Sequence, residues 1–388
     1  MGNRARTNSE TKGMLRNTRS KEQNKLRYAV VGQGYISQIA VLPAFAHARE
    51  NSELTALVSD DPKKLKSLAR KYQVKHTFSY EQYAECLHSG EIDAVYIALP
   101  NSMHRAYTES AANAGIHILC EKPMALTEQD CEAMIEAVEN AGVKLMIAYR
   151  LHFEYGNLHA VEVVNSGKIG EPRMFTSVFS QQVKPGNTRL QKDVGGGALY
   201  DMGVYCLNAA RYLFKAEPVQ AFAWNLGSDS KRFNEVPEMT SVLLKFPGDR
   251  VASFTTSFGA ANRSIFEVIG TKGVLKMDPA YEMADTLKSQ IMVDGRTTKR
   301  SFKKRDQFAA ELVYFSDCVL NNKQPEPSGH EGLVDVRIIQ ALLKSADDNR
   351  PVDIFPVDVR RRPKMSQEIS KPAVAKPRLV RAAAPGAD

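Results

Sequence analysis

Apolar runs and amphipathic stretches alternate along the first 150 residues of the chain. The runs are short, rich in β-branched residues and almost continuously apolar, and they stand at 27–31, 53–58, 92–100, 116–120 and 143–149. Strands without polar alternation are typical of parallel sheets that helices cover on both faces. The stretches between them carry helix signals, such as Thr127 with Asp130 three residues later. The pattern predicts an α/β protein in which residues 27–150 form a Rossmann domain, a doubly wound parallel sheet.

The pattern changes after Arg150. Segments with period-two alternation follow one another, joined by short turns, which indicates an antiparallel sheet. Helices are predicted at about 154–166, 197–214, 307–321 and 330–347. We therefore predict a second, α+β domain over residues 151–355. Its large, mostly antiparallel sheet would support the substrate side of a site and an oligomer interface.

Positive charge is concentrated at the two ends of the chain. The formal net charge is +8, of which residues 1–27 carry +6 and residues 356–388 carry +5, so the body between them is slightly acidic. A nucleic-acid-binding domain would carry its basic residues on folded structure, whereas these ends are rich in Ser, Asn, Pro and Ala. We predict a basic disordered arm at 1–26, a basic disordered tail at 356–388, no nucleic-acid partner, and a body that works without either end.

The composition and residue spacing argue against several function classes. The sequence has no apolar run long enough to span a bilayer and no apolar segment of a secretory signal near its N-terminus. Its five cysteines are scattered and form no CxxC pair, and its histidines show no metal-binding spacing. We expect a cytoplasmic protein with no membrane partner, no disulfide framework and no metal.

A glycine pattern follows the first apolar run. Gly32 and Gly34 are followed by Ser37 in the position of a third glycine, and a helical pattern begins at once. Glycines at this spacing allow a tight turn and a close approach of the backbone to a pyrophosphate, which the start of the helix then stabilises. The motif alone is weak, but the alternating strands and helices around it favour a dinucleotide site that includes Tyr35 and Ile36.

A lysine follows the run at 116–120 directly, in Glu121-Lys122-Pro123. Proline disfavours the helical region for the residue before it, so Lys122 is predicted at the tip of a strand. Open α/β sheets bind their ligands at the carboxyl ends of strands. Taken alone, the lysine fits a solvated strand end as well as a functional site.

Possible partners for this lysine stand in a helical segment that follows the glycines at 195–197. Asp201, Tyr205 and Asn208 are spaced i, i+4 and i+7, which places them on one helix face. Ordinary helix packing explains such a stripe equally well, so the stripe by itself does not define a site.

Five segments together carry a family resemblance: Gly32-x-Gly34, LPNSMH (99–104), CEKPMA (120–125), LMIAYRLHF (145–153) and GGGALYDMGVY (195–205). In this order they resemble the Gfo/Idh/MocA oxidoreductases, and most of all the glucose–fructose oxidoreductase group within that family. The resemblance covers residues 27–355. It implies hydride transfer between a nicotinamide ring and a sugar or polyol carbon, with a cis peptide bond before Pro123.

The resemblance also implies roles for individual residues. The catalytic residues would be Lys122, Asp201 and Tyr205, the last in a position where most of the family has His. The cofactor would be bound by Gly32, Gly34, Tyr35, Ile36, Ser59, Lys64, Leu99, Pro100, Asn101, His104, Glu121, Lys122 and Arg150. The substrate would be bound by Lys122, Tyr149, Arg150, Arg189, Asp201 and Tyr205. An ammonium group beside a reacting alcohol stabilises a developing alkoxide and lets a nearby tyrosine act as a base.

The choice of cofactor depends on the end of the second apolar run. A ribose 2′-phosphate calls for cations and neutral donors, whereas NAD enzymes usually place an acid there. Ser59 stands at the strand tip with Lys64 five residues later, but Asp60 and Asp61 lie between them. We predict tightly bound NADP, with NAD as the alternative.

Three functions stay open on the sequence. The first is an NADP-dependent sugar oxidoreductase that forms a homodimer or homotetramer through the C-terminal sheet. The second is a relative that acts on an anhydrosugar, inositol or dihydrodiol, or a glycosidase that oxidises its substrate transiently. The third is a non-catalytic NADP-sensing regulator, which the joint presence of Lys122, Asp201 and Tyr205 disfavours.

Overall fold

A computed structural model describes residues 25–228, 230–283, 285–355, 357 and 361–386. Its strands are β1 (Leu26–Val31), β2 (Ser52–Val58), β3 (His76–Phe78), β4 (Ala94–Ile97), β5 (His117–Cys120), β6 (Leu145–Ile147), β7 (Pro172–Ser180), β8 (Gln220–Leu226), β9 (Met239–Phe246), β10 (Arg250–Ser257), β11 (Arg263–Gly270), β12 (Gly273–Met277), β13 (Leu287–Val293), β14 (Arg296–Phe302) and β15 (Val352–Asp353). Its α-helices are α1 (Leu42–Ala44), α2 (Pro62–Tyr72), α3 (Tyr83–His88), α4 (His104–Asn113), α5 (Glu128–Ala141), α6 (Tyr155–Asn165), α7 (Val204–Phe214), α8 (Gln307–Leu320) and α9 (Gly329–Asp348). Ser37–Val41 and Leu199–Gly203 form π-helical turns that precede α1 and α7.

The first sheet of the described chain is parallel, with strand order β3-β2-β1-β4-β5-β6. The order reverses between β1 and β4, as in a Rossmann fold. Every residue of β4 is buried, because helices cover both faces of the sheet. The Rossmann domain predicted from the continuous apolar runs is confirmed.

The second sheet of the described chain is mostly antiparallel, with order β14-β13-β12-β11-β7-β10-β9-β8-β15. Only β7 and β10 pair in parallel among these strands. Its inner face is buried, for example at Phe175 and Ala252. Its outer face exposes Met174 and Val178, which alternate with buried residues along β7. The predicted fold class, a parallel Rossmann sheet with a mostly antiparallel α+β domain, is confirmed.

Helices α8 and α9, which were predicted in the second domain, also pack on the Rossmann sheet. Ser316 of α8 exchanges hydrogen bonds with Tyr28 and Ser52 of the first sheet, each at 2.7 Å between the hydroxyl oxygens. Helix α9 packs against α5 and β6. The two sheets are therefore joined by a shared helical layer, and the cleft between them lies beside this layer.

The C-terminal segment differs from the disordered tail expected for 356–388. Within residues 361–386, Arg362 pairs with Glu217, and Gln367 donates to Glu326. The carbonyl oxygen of Lys371 accepts from the backbone of Asp306 at 3.1 Å. Composition indicated too little apolar surface to order this segment, but polar and ionic contacts hold it to the body instead.

Three further expectations concern the N-terminal arm, membrane-spanning helices and the cysteines. Residues 1–24, nearly all of the predicted arm, lie outside the described residues. Within the described residues, no helix combines the length and apolar character needed to cross a membrane. The five cysteines are buried and free.

Candidate active site

The turn after β1 requires the first glycine of the predicted motif. Gly32 has φ +91°, and a Cβ atom on it would lie 2.4 Å from the carbonyl oxygen of Ala98. Ser37 closes the turn, since its Oγ donates to the carbonyl oxygen of Gly32 at 2.6 Å. The Cβ position of Gly34 is open. The turn thus leaves space for a ligand beside the start of the following helix, where backbone N–H groups attract anions.

The tip of β2 adds polar groups to the same cleft. Asp61 caps α2, because its Oδ1 accepts from the backbone N–H of Lys64 at 3.0 Å. This hydrogen bond lowers the pKa of Asp61. Ser59 and Lys64 line a cavity of about 330 Å³ together with Gly32 and Gly34. The sequence-predicted groups for a ribose phosphate therefore lie beside the glycine turn.

Lys122 stands at the end of β5, and its bond to Pro123 is cis, as the resemblance implies. Its Nζ donates to the backbone oxygen of Asp201 at 2.9 Å and to Oδ1 of the same residue at 3.1 Å. Burial disfavours the charged ammonium, but Tyr205, Asp201 and Glu121 outweigh it and raise the pKa of Lys122. Lys122 therefore stays charged near neutral pH.

Asp201 is held between two cations. Arg189 Nε donates to its Oδ2 at 2.7 Å, while Lys122 contacts its Oδ1. Burial alone would raise the pKa of Asp201, but the charges of Arg189 and Lys122 lower it well below its usual range. Asp201 is thus an ionised carboxylate that fixes the lysine and does not exchange protons near neutrality.

The hydroxyl of Tyr205 contacts Arg150, and its ring faces Lys122. Arg150 Nε donates to it at 3.2 Å, and the Nζ of Lys122 lies 4.8 Å from the centre of the tyrosine ring. Arg150 is itself fixed, since it donates to the carbonyl oxygen of Tyr281 at 2.6 Å and to the side chain of Gln307. Because the tyrosine oxygen accepts from Arg150, its own proton is directed elsewhere.

These groups surround one cavity of about 570 Å³ between the two domains. Its lining includes Lys122, Arg150, Arg189, Asp201 and Tyr205. It shares several lining residues with the cavity at the glycine turn, namely Tyr35, Ile36, Ala98, Leu99, Asn101, Arg189 and Asp201. The two cavities are parts of one cleft, with the charged cluster near their junction.

The remaining sequence-predicted cofactor residues also border this cleft. Leu99, Pro100, Asn101, Tyr35, Ile36 and Glu121 all line one of the two cavities. Asn101 Nδ2 donates to the carbonyl oxygen of Gly195 at 2.8 Å, which ties β4 to the glycine-rich loop of the second domain. Burial raises the pKa of Glu121, which accepts from the hydroxyl of Tyr96 at 2.9 Å.

His104, predicted near the nicotinamide, lies outside the cleft. Its side chain is fully buried, with Nδ1 3.0 Å from the carbonyl oxygen of Pro123 and Nε2 3.0 Å from that of Leu99. Burial lowers the pKa of His104. It connects the loops after β4 and β5 and supports Lys122 from behind.

Tyr149 and Asn208 are likewise directed away from the cavity. The Tyr149 hydroxyl donates to Asp335 Oδ2 at 2.6 Å, and Asn208 Nδ2 donates to the same oxygen at 3.1 Å. Asn208 lies on the same helical segment as Asp201 and Tyr205, but the π-helical turn Leu199–Gly203 shifts the angular positions that a regular helix would give. Tyr149 is therefore not placed to bind substrate, and Asn208 belongs to a buried polar cluster.

Several residues of the cavity wall were missed by the sequence reasoning. They come from the second domain and are Phe179, Gln181, Asn262, Arg263, Asp278, Tyr281 and Glu282. The ring of Tyr281 lies 6.1 Å from that of Tyr205, and Phe179 lies 5.7 Å from it. These residues stand at strand ends and in loops that are distant in sequence, so no periodicity marks them.

Within the described residues, no group of three or more His, Cys, Asp or Glu side chains could hold a metal ion.

Comparison with known proteins agrees with this geometry. Residues 26–149 match the oxidoreductase family with an NAD-binding Rossmann fold, and residues 157–276 match the GFO/IDH/MocA C-terminal domain. The chain belongs to the GFO/IDH/MocA family of oxidoreductases. The family predicted from the sequence motifs is thereby confirmed.

Three relatives indicate the chemistry found within the family. D-xylose 1-dehydrogenase [NADP(+)] of Haloarcula marismortui is 34% identical over 337 residues, which cover 85% of this chain and 93% of that protein. The crystal structure of aldose-aldose oxidoreductase from Caulobacter crescentus, complexed with glycerol, matches with a TM-score of 0.81 and 38% identity over 85% of this chain and all of that chain. A 3-ketoreductase from Actinomadura kijaniata, in complex with NADP and TDP-benzene, matches with a TM-score of 0.75 and 27% identity over 83% of this chain and 98% of that chain.

Proposed function

We propose that the chain transfers hydride between NADP and a carbon of a sugar or polyol, with Lys122, Asp201 and Tyr205 as catalytic residues. The observation that carries the proposal is their joint position in the cleft that also contains the glycine turn. Lys122 contacts Asp201 through two hydrogen bonds and faces the ring of Tyr205. Two of the relatives, the xylose dehydrogenase and the aldose-aldose oxidoreductase, are named as enzymes that act on sugars.

The residues of the cleft fit a nicotinamide dinucleotide. A side chain at Gly32 would fill the space where the turn approaches β4, and the open position at Gly34 adjoins a helix start that favours phosphate. Ser59 and Lys64 supply a neutral donor and a cation beside this turn. The nicotinamide, when bound, supplies the acceptor or donor of hydride.

Lys122 can bind the reacting oxygen of the substrate. An ammonium has three N–H donors, and two of them are directed at oxygens of Asp201. The third is available on a side chain that lines the cavity and is 10% exposed. When the substrate hydroxyl binds at this third N–H group, the ammonium stabilises the negative charge that develops on the hydroxyl oxygen as the hydroxyl loses its proton.

Tyr205 is the group proposed to move that proton. Its oxygen accepts from Arg150 Nε at 3.2 Å, so the tyrosine O–H can be directed to a substrate oxygen in the cavity. Arg150 and Lys122 both lie against its ring, at 4.9 and 4.8 Å from the ring centre.

The wall opposite these groups suits a polyhydroxy compound. It carries amide, carboxylate and guanidinium groups at Gln181, Asn262, Arg263, Asp278 and Glu282. Asp278 and Arg263 are paired through two contacts of 2.8 Å, which fixes both side chains. Sugar hydroxyls can donate to and accept from such groups, which supports a sugar as the substrate class.

We also propose a homo-oligomer that buries the outer face of the second sheet. Large apolar residues on this face are exposed on four of its strands, β7, β8, β9 and β13: Met174, Val178, Trp224, Leu226, Leu243 and Met292. An apolar patch of this kind marks an interaction site, and the second copy of the chain is its proposed occupant. Val178→Lys should lower the molar mass measured by light scattering; a monomeric wild-type protein would contradict the proposal.

A cytoplasmic location is the last part of the proposal. All five cysteines are free and buried, which agrees with a compartment that keeps thiols reduced. Locating a tagged full-length chain by cell fractionation tests this directly. Recovery in an extracytoplasmic fraction would contradict it.

The catalytic proposal is tested with the purified protein. Its ultraviolet spectrum is first compared with that of protein stripped of nucleotide, and NADP is then added with a panel of aldoses, ketoses and polyols. Growth of the absorbance band of reduced nicotinamide with at least one sugar is expected. Binding of NADP without reduction or oxidation by any member of the panel would favour the non-catalytic regulator.

A further inference from the structure

The last described segment of the chain, residues 378–386, connects the two walls of the cleft. We call it the C-terminal strap. At its start, Lys71 Nζ donates to the carbonyl oxygen of Arg378 at 3.2 Å on the Rossmann domain. At its end, the backbone of Lys184 in the second domain donates to the carbonyl oxygen of Pro385 at 2.9 Å. Pro385 lines the same cavity as Lys122.

The middle of the strap is attached next to the glycine turn. Gln38, whose side chain is buried, accepts from the backbone of Val380 at 2.7 Å and donates to its carbonyl oxygen at 2.9 Å. The same amide donates to the carbonyl oxygen of Gln33, which lies within the glycine turn. The strap therefore follows the part of the Rossmann domain at which a dinucleotide is proposed to bind.

Arg381 extends from this attachment to the tip of β2. Its Nε lies 2.7 Å from Asp61 Oδ2, and its side chain remains 58% exposed. Its backbone has φ +47°, a region that non-glycine residues adopt at a cost and that surrounding contacts must hold. The adjacent hydrogen bonds of Val380 to Gln38 are such contacts.

The position of Arg381 resolves a conflict in the cofactor site. Asp61 stands two residues after Ser59 and caps the helix that carries Lys64, and its carboxylate would repel a ribose 2′-phosphate in this region. Arg381 neutralises that charge. Because the contact uses Nε and the side chain is largely exposed, its terminal nitrogens remain accessible for a planar, charge-assisted contact with phosphate.

We propose that Arg381 is a specificity-determining residue for NADP, which acts by neutralising Asp61 and by adding positive charge at the 2′-phosphate. The proposal rests on the proposed NADP-dependent function. It adds a residue from residues 361–386 to a phosphate site whose other proposed members, Ser59 and Lys64, belong to the Rossmann domain. Loss of one charge-assisted contact predicts about a 10- to 100-fold weaker binding of the phosphorylated nucleotide.

The test measures equilibrium binding of NADP, NAD, 2′,5′-ADP and 5′-AMP by calorimetry to the full-length chain. Arg381→Ala is compared with Lys376→Ala, which removes one exposed positive charge from the same region outside the strap. We expect Arg381→Ala to bind NADP and 2′,5′-ADP more weakly than the wild type, whereas its affinity for NAD and 5′-AMP should be unchanged. Lys376→Ala should bind all four like the wild type. In the Arg381→Ala background, Asp61→Asn should recover part of the lost affinity for NADP.

Three results would overturn the inference. The first is unchanged NADP binding by Arg381→Ala, the second is an equal loss of affinity for NAD and NADP, and the third is a loss of NADP affinity that Asp61→Asn does not recover at all. In each case the wild type still binds NADP, so the proposed function stands and only the role of Arg381 fails. A wild-type protein that binds none of the four nucleotides would instead remove the proposed function and the inference with it.

Discussion

Replacing Lys122 by Met tests the charged cluster most sharply. The substitution removes the ammonium but keeps an unbranched side chain of similar length. The Lys122 Nζ lies 4.8 Å from the centre of the Tyr205 ring. Removing one preorganised donor to an oxygen that develops negative charge costs about 10²–10³-fold in rate, and we expect Lys122→Met to lose that much. Asp201 keeps its 2.7 Å contact with Arg189, so the variant should fold.

The assay is the single-turnover rate of nicotinamide reduction at saturating sugar, measured beside NADP affinity and thermal stability. Tyr205→Phe should slow the reaction by about 10²–10⁴-fold. If Lys122 and Tyr205 act as one unit, the double variant should be only slightly slower than the slower single variant. Tyr281→Phe is the matched control, because its hydroxyl is bonded to Ser177 in the same aromatic cluster. A Lys122→Met rate within a few-fold of wild type, or fully multiplicative losses in the double variant, would refute the reasoning.

Three further predictions concern affinity and stability. Lys64→Ala should weaken the binding of NADP by about 1–3 kcal/mol and leave the affinity for NAD unchanged, as measured by calorimetry. An equal loss of affinity for both nucleotides would exclude a 2′-phosphate contact. Burial opposes protonation of His152, but Glu326 outweighs it and raises the pKa of His152. Its stabilising contribution is therefore complete below a pH of about 6.5 and is lost as pH rises through the raised pKa. Melting curves of His152→Gln should show the largest destabilisation at low pH, and a constant difference would contradict this. A chain ending at residue 357 should melt at a lower temperature, because the buried acidic partners of Arg362 lose a cation; an unchanged melting temperature would restore the expectation that the tail is dispensable.

The sequence was sufficient for the elements whose pattern is local. Continuous apolar runs predicted five strands of the Rossmann sheet but not the short edge strand β3. Thr127 does accept from the backbone of Asp130 at the start of α5. The glycine at 32 and the lysine before Pro123 lie at strand ends for reasons of backbone geometry. These signals depend only on residues that are close together in the sequence, so they can be recognised without a structure.

Features that depend on distant contacts were not predictable in this way. Strand β14 is exposed along almost its whole length and shows no alternation of apolar and polar residues. Its sequence therefore did not indicate a strand that pairs with β13. His104 and Tyr149 lie close in sequence to strand tips, but their side chains are directed into the protein, where carbonyl oxygens and Asp335 receive them. The contact of Arg381 with Asp61 joins residues 320 positions apart, and charge composition alone suggested only a solvated end.

The direct test of hydride transfer uses an aldose deuterated at its anomeric carbon, incubated with NADP and the wild-type protein. The account predicts that the reduced nicotinamide recovered from the mixture carries the deuterium, on a single face of the ring, and that the rate falls relative to unlabelled sugar when chemistry limits turnover. The experiment is made with each sugar that gives reduction in the panel. Reduced nicotinamide without the label, from a sugar oxidised at its anomeric carbon, would contradict direct transfer and with it the central claim.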